Sequence, residues 1–271
     1  TTDDGDITTL GRGGSDISAM ALAAALDADV CEIYTDVEGI YTSDPNVVPS
    51  ARKLDRISYD EMLELASLGA KVLQTRSVEF GKRYGIPIHV RSTFSTGEGT
   101  WVMAESEMME SPVVSGVTYS RDEAKVTIFG VPDQPGVAVK IFGEVSGTGA
   151  VVDMIVQNVS TQGLTDVTFT VPRKDLNRVL PCVQRVADDL GAAGTTSDAS
   201  IAKVSVVGLG MRDHAGVAGR MFQVLADEGI NIQMISTSEI KISVVVEEKY
   251  TELACRSLHD AFGLAETESG S

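Results

Sequence analysis

The sequence predicts an α/β protein, with a mainly parallel sheet covered by helices first and two small sheet-and-helix units after it. Three observations carry this. Short β-rich runs alternate with helical runs from residue 1 to about 102, the pattern of strands joined by helical crossovers. A long segment then occurs twice: "KVTIFGVPDQPGVAVKIFGEVSGTGAVVDMIVQNVS" is answered by "KVSVVGLGMRDHAGVAGRMFQVLADEGINIQMISTSE". Finally, 26 glycines against 8 prolines give many glycine-made turns, as in α/β folds with short loops.

In chain order, "DITTL" reads as a strand. "SDISAMALAAALDAD" reads as a helix with Ile17, Met20, Ala21 and Ala24 at i, i+3, i+4 and i+7. "VCEIYT" is a second strand and "GIYTSDP" a turn-rich excursion. "SYDEMLELASLGAKVLQTRSVEFGKRYG" is helical, opened by a capping box of Ser58 and Glu61 and broken near Gly69. "IPIHVRS" is another strand, and the acidic, aperiodic "AESEMMESP" is a linker. These readings divide the chain into 1–103, a linker over 104–112, and the repeats.

In the repeats Gly136 matches Gly216, Phe142 matches Phe222, Gly149 matches Gly229 and Met154 matches Met234, each 80 positions apart. Lys125 matches Lys203 at 78, so the second copy carries two extra residues at its first turn. A period this long suits a duplicated small domain rather than a solenoid. Each copy reads strand, turn, helix, strand, strand, helix, and a ferredoxin-like βαββαβ sheet needs one more strand. The first copy finds it near "TTSDASIA". The second ends in the polar, tail-like "GLAETESGS", and the spare candidate is "VVSGVTYS" upstream of the first copy. The expected units are therefore 121–200, inserted into a second made of 113–120 plus 201–266. Val139, Phe142, Val145, Phe222 and Leu225 are expected as core.

Composition narrows the function. With 271 residues, 43% hydrophobic and 23% charged, there is material for more than one core. A formal charge of −17 argues against nucleic-acid binding, which needs clustered Lys and Arg. No apolar run reaches the ~18–20 residues that span a bilayer. Cys31, Cys182 and Cys255 lack metal spacing and read as reduced thiols of a cytoplasmic protein. His89, His214 and His259 share no ligand spacing, so no metal cage is expected.

The chemistry centres on "TTLGRGGSD". A glycine-rich corner between strand and helix lets backbone N–H groups approach an anion, and the helix N-terminus adds a favourable field. Arg12 can grip a carboxylate or phosphate with two bonds, and Ser15 or Asp16 can cap the helix. A plain capped turn is the competing reading. The corner is neither GxxxxGK[ST] nor GxGxxG, which weakens a dinucleotide enzyme. Thr35-Asp36 ends the next strand, where open α/β sheets bind ligands, although a lone Asp can also cap a turn. Lys71 in "GAKVL" is either a phosphate partner or a solvated lysine. In each repeat an Asp and a Gly precede a helix, at Asp133-Gly136 and Asp213-Gly216. An Asp there can cap the helix, or pair with a free amino acid's ammonium while the helix amides take its carboxylate.

In this order, "TTLGRGGSD", "EIYTDVEGIYTSDP", "LELASLGAKVL" and the duplicated "QNVS" and "STSE" segments closely resemble the aspartate kinase family, whose members join an amino-acid kinase domain to paired ACT regulatory domains. The resemblance runs from about Asp6 to Leu264. It implies the C-terminal half of an amino-acid-kinase parallel-sheet domain over 1–103, followed by two ferredoxin-like ACT domains. The implied reaction is phosphoryl transfer from ATP, bound with Mg2+, to the side chain of L-aspartate, the entry to lysine, threonine and methionine biosynthesis.

Carried over by motif position, Arg12 and Ser15 would hold aspartate. Asp16 and Lys71 would be catalytic. Thr35, Asp36, Tyr41, Asn46, Lys71 and Val72 would contact ATP. Asn46 stands where some relatives carry Arg. Lysine, threonine or both would bind as effectors at Asp133, Gly136, Val137, Ala138, Val152, Asp153, Met154, Gln157, Asn158 and Ser160, with Asn231, Ile232 and Ser238 at the matching place. A homodimer or heterotetramer through the ACT domains is implied. A non-catalytic regulatory subunit, begun internally at Met103, Met108 or Met109, is the alternative. The family's lysine-containing "KFGG"-type loop and the half-domain after it are absent here, so these 271 residues alone are expected to have little or no kinase activity.

Overall fold

The computed structural model describes residues 5, 11, 13–68, 72–108, 112–158 and 163–265. The strand expected over "DITTL" lies outside them, as do Arg12, Lys71 and Ser160 of the expected sites.

The first helix, α1 (Gly14–Ala25), starts behind Gly13, whose φ of 73° is left-handed. Its N-cap is therefore glycine. Ser15 and Asp16 sit inside the first turn, and neither caps the helix: Ser15 Oγ bonds Asp16 Oδ1 at 3.2 Å instead. The helix stops four residues earlier than its composition suggests, because the chain turns through Asp27 at φ 52°. Its buried side chains are Met20 and Ala23, while Ala21 is exposed. Strand β1 (Cys31–Thr35) follows, then β2 (Arg56–Ser58) and α2 (Tyr59–Ser67). The capping box forms, with Ser58 Oγ accepting from the Glu61 amide and Glu61 reaching back to the Ser58 amide. The long helical run divides into α2 and α3 (Thr75–Tyr84), and β3 (Ile88–Ser92) and β4 (Thr100–Met103) complete the first sheet. Its order is β1-β3-β4-β2. β1–β3 and β2–β4 are parallel and β3–β4 is antiparallel, so the sheet is mixed. The antiparallel pairing arises because β3 and β4 are joined by a loop too short to hold a helical crossover.

A 3-10 turn, Glu105–Glu107, occupies the linker. After it come β5 (Gly116–Ser120), β6 (Glu123–Pro132), α4 (Val137–Gly147), β7 (Ile155–Gln157), β8 (Leu164–Pro172), α5 (Leu176–Leu190) and β9 (Gly194–Asp198). The second repeat comprises β10 (Ile201–Val207), α6 (Val217–Asp227), β11 (Met234–Thr237), β12 (Lys241–Glu247) and α7 (Thr251–Ala261). Its two extra residues are taken up by the four-residue 3-10 turn Leu209–Arg212. The four-stranded sheets run β7-β8-β6-β9 and β11-β12-β10-β5, so β5 holds in the second the edge place that β9 holds in the first. Tyr119 of β5 pairs with Val204 of β10, and every pairing of both sheets is antiparallel.

The repeat symmetry reaches the backbone. Gly136 and Gly216, the N-caps of α4 and α6, adopt φ 93° and 100°, a left-handed state that suits glycine. Each repeat buries its own apolar core, and Met154, Met234, Ile201 and Val245 form a small apolar contact of their own. Val139 does not join a core: it is 76% exposed. The buried stripe of α4 is Val137, Ile141 and Val145, one face at i, i+4, i+8, and Val139 lies round the helix from it. Leu264, in the segment that reads as a polar tail, is buried against the second core, and Ala265 bridges Ala51.

Candidate functional site

A cavity of about 880 Å3 opens at the carboxyl end of β1. Thr35, Asp36, Tyr41, Asn46 and Val72 all line it, so the described residues expected at the nucleotide converge from the end of β1 and two loops. Thr35 Oγ1 donates to Asp36 Oδ1 at 3.1 Å, and Asp44 holds the Asn46 side chain at 3.0 Å and its amide at 2.9 Å. The opposite wall was not anticipated. It is Val117–Asp122, from β5 and the turn into β6. Tyr119 bridges the two walls, its hydroxyl donating to Asp44 Oδ2 at 3.2 Å. Burial and the Asp44 charge raise the Tyr119 pKa, so the phenol remains a donor at neutral pH.

The glycine corner stands beside this cavity without lining it. A Cβ on Gly13 would fall 1.7 Å from Gln74 Cγ, two residues from Val72, so only glycine fits this crossing. Ser15 and Asp16 project from the first turn of α1. Burial, then the Asp16 carboxylate, push the Cys31 thiol up, leaving that cysteine a protonated packing group. Among the described residues no group of three or more His, Cys, Asp or Glu could hold a metal, and the three cysteines are buried and free. No helix among them is long and apolar enough to cross a membrane.

The expected effector residues fall in two places. Asp133, Gly136, Gln157 and Asn158 gather at one end of the first repeat's sheet, where Asp133 N bonds Gly163 O at 2.9 Å and Thr165 Oγ1 donates to Asn158 O. Asp133 does not cap α4, and Ala138 is exposed beside it, whereas Val137 is core. Val152 and Asp153 lie at the far end, level with Thr170. Asp133, level with Gly163, and Asp153, level with Thr170, are seven positions apart along β8, roughly 23 Å at 3.3 Å per residue. A single amino acid cannot touch both Asp133 and Asp153 on one chain. Met154 is buried between the repeats, Ile232 packs against the second core, and Asn231 and Ser238 are exposed.

Asp153 instead meets the second repeat. Lys203 of β10 lies in ion-pair contact with both Asp153 and Glu123. Lys125, its counterpart, donates to Gln233, the counterpart of Asp153. Two reciprocal clasps therefore join the repeats about a pseudo-twofold axis. Burial works against the Lys203 charge, but Glu123 and Asp153 outweigh it and raise its pKa. The match of Lys125 with Lys203 was visible in sequence; its partners were not.

The second repeat also docks on the first sheet's helices. Glu61 is fully buried; Oε2 accepts from Ser58 N and Oγ at 3.2 and 2.8 Å, and Oε1 accepts from Ser115 Oγ and from Leu209 N at 3.0 Å. Lys241 reaches Glu64 at 2.7 Å, Thr42 Oγ1 lies 2.9 Å from His259 Nε2, and Arg256 donates to Val47 O at 2.8 Å.

A cavity at strand ends, near a glycine-capped helix and joined to a duplicated βαββαβ unit, is an arrangement that fits an amino acid kinase segment carrying paired ACT domains. Residues 1–92 match the amino acid kinase family, and residues 125–188 and 204–262 each match an ACT domain. An aspartokinase of Pseudomonas aeruginosa is 60% identical over 262 residues, which cover 96% of this chain and 64% of that protein. The solved regulatory subunit of aspartate kinase from Thermus thermophilus is 39% identical; the match covers 55% of this chain and 99% of that one, with a TM-score of 0.53. Aspartokinase III of E. coli, solved with aspartate and ADP, is 30% identical at a TM-score of 0.78, covering 96% of this chain and 58% of that one. The chain belongs to the aspartate kinase family. It spans somewhat under two thirds of the length of the curated relatives it matches.

Proposed function

We propose that this chain carries the carboxyl-terminal part of the catalytic domain and the feedback-regulatory domains of an aspartate kinase. The whole enzyme transfers the γ-phosphoryl group of Mg-ATP to the side-chain carboxylate of L-aspartate, giving 4-phospho-L-aspartate and ADP. The observation that carries this is the convergence of Thr35, Asp36, Tyr41, Asn46 and Val72 on one cavity at the end of β1. A carboxylate is already ionised at neutral pH and attacks phosphorus without a general base. The protein's task is then to position the reactants and neutralise phosphate charge. Amides of the glycine corner, with Lys71, supply that charge complement, Arg12 and Ser15 hold aspartate, and Asp16 organises the centre. Lysine, threonine or both act as effectors at the first ACT repeat. A site joining Asp133 to Asp153 takes its two ends from two chains, which favours at least a dimer. Free buried cysteines agree with a reducing, cytoplasmic setting.

The test joins this chain to the amino-terminal segment that its longer relatives carry and measures aspartyl phosphate, trapped as the hydroxamate. ATP- and aspartate-dependent product is expected, falling when lysine or threonine is added. No product from a folded protein would reject the reading. A second reading, a separately made regulatory subunit, is favoured by the match to the Thermus thermophilus subunit. A shorter product containing 113–266, seen by mass spectrometry in cells, would support it.

A further inference from the structure

We propose that Arg121, delivered by the regulatory half, is a further nucleotide-contacting residue, its guanidinium facing the phosphate chain. The inference rests on the reading of the cavity as the nucleotide site. One wall of that cavity is the loop from Thr35 to Asn46, and the other is Val117–Asp122. Among the described lining residues Arg121 is the one cationic side chain, while Asp36, Glu38, Asp44 and Asp122 are acidic. A nucleotide phosphate chain adds several negative charges to that set. It binds where a cation offsets the carboxylates, and guanidinium is the side chain best shaped to grip phosphate oxygens in pairs.

Arg121 is held loosely by its present partners. Its Nη2 lies 3.3 Å from Glu252, a pair in which both side chains are well exposed, and such pairs contribute little. Its Nε is buried and has no hydrogen-bond partner, so the side chain gives up no bond at that atom when it turns toward a phosphate oxygen. Its orientation is nevertheless set. The guanidinium carbon lies 5.3 Å from the centre of the Tyr119 ring, and Tyr119 is itself anchored to Asp44 across the cavity. The arginine thus rests on an aromatic platform tied to the opposite wall, with its guanidinium bonded only to Glu252 among the described residues.

The test is calorimetric binding of MgADP to the extended enzyme, followed by KM values for ATP and aspartate, for wild type, R121A, R121K and E252Q. Arg121→Ala is expected to weaken MgADP about 10-fold or more and to raise KM for ATP, with KM for aspartate unchanged. Arg121→Lys keeps part of the affinity. Glu252→Gln removes the surface partner and leaves the arginine, so it binds nucleotide as well as wild type or better. If R121A does not fold, R121Q carries the comparison. Equal MgADP affinity in wild type and R121A overturns the inference alone. So does an E252Q variant as weak as R121A, which would mean that the ion pair only shapes the wall. A wild type that binds no nucleotide overturns the reading of the cavity, and this inference with it.

Discussion

Replacing Glu61 with glutamine tests how the kinase segment is joined to the regulatory repeats. The carboxylate is wholly buried and faces four donors: Ser58 N and Oγ on one oxygen, Ser115 Oγ and Leu209 N on the other. Glutamine keeps one acceptor and turns the second into an NH2 group. A hydroxyl can rotate to accept from that group, but a backbone amide cannot. Whichever way the side chain is flipped, either Ser58 N–H or Leu209 N–H is left buried without a partner. An orphaned buried donor costs about 1–3 kcal/mol, a fall of roughly 3–10 °C in the melting midpoint for a protein of this size. Ser115→Ala leaves the carboxylate three donors and costs only about 1 kcal/mol. Differential scanning calorimetry of wild type, E61Q and S115A separates these outcomes. An E61Q protein melting within a degree of wild type, or no more affected than S115A, would show that the buried carboxylate does not hold the joint.

Four further outcomes are expected. Lys203→Met leaves Glu123 and Asp153 without their shared cation, and breaking a buried pair on one side costs about 3–5 kcal/mol; urea unfolding should show it, with Asp153→Asn much milder because that side chain is half exposed. His259 is buried and its pKa is lowered, first by burial and then against the opposing pull of Asp260, so protons favour the unfolded chain; stability is full above about pH 6.5 and declines as pH falls below it, a slope in the melting temperature that His259→Gln should flatten. Gly13→Ala puts a methyl group into Gln74 at a left-handed φ and should abolish aspartyl phosphate formation by the extended enzyme while the ACT repeats still fold, as circular dichroism would reveal. The 271 residues alone should form little or no aspartyl phosphate in the hydroxamate assay.

Much of this was legible because it is written locally. The Ser58–Glu61 box marks the start of α2, and the paired Gly136 and Gly216 mark two helix starts whose left-handed caps follow from glycine chemistry. The missing fourth strand of the second repeat points to "VVSGVTYS", and β5 pairs with β10. Strand-end logic picks out Thr35 and Asp36, the resemblance adds Tyr41 and Asn46, and all four line one cavity. What stayed hidden was long-range. Glu61 with Leu209, Glu64 with Lys241 and Thr42 with His259 are 148, 177 and 217 positions apart, and nothing periodic announces such meetings. The capping glutamate looked spent on its own helix, although a carboxylate has capacity for more donors. Val139 misled because an apolar residue beside a helix start was counted as core without asking which face it occupies.

The antiparallel pairing of β5 with β10 has a practical consequence. Ser120 stands opposite Lys203, so the chain leaves for the first repeat and returns from it at neighbouring points. Excising the intervening module therefore requires no long splice: a two-residue Asn-Gly corner would turn the two strands into an ordinary hairpin. A protein shortened in this way would retain the repeat docked on the kinase segment and lose the outer one, so the contribution of each to stability could be measured separately.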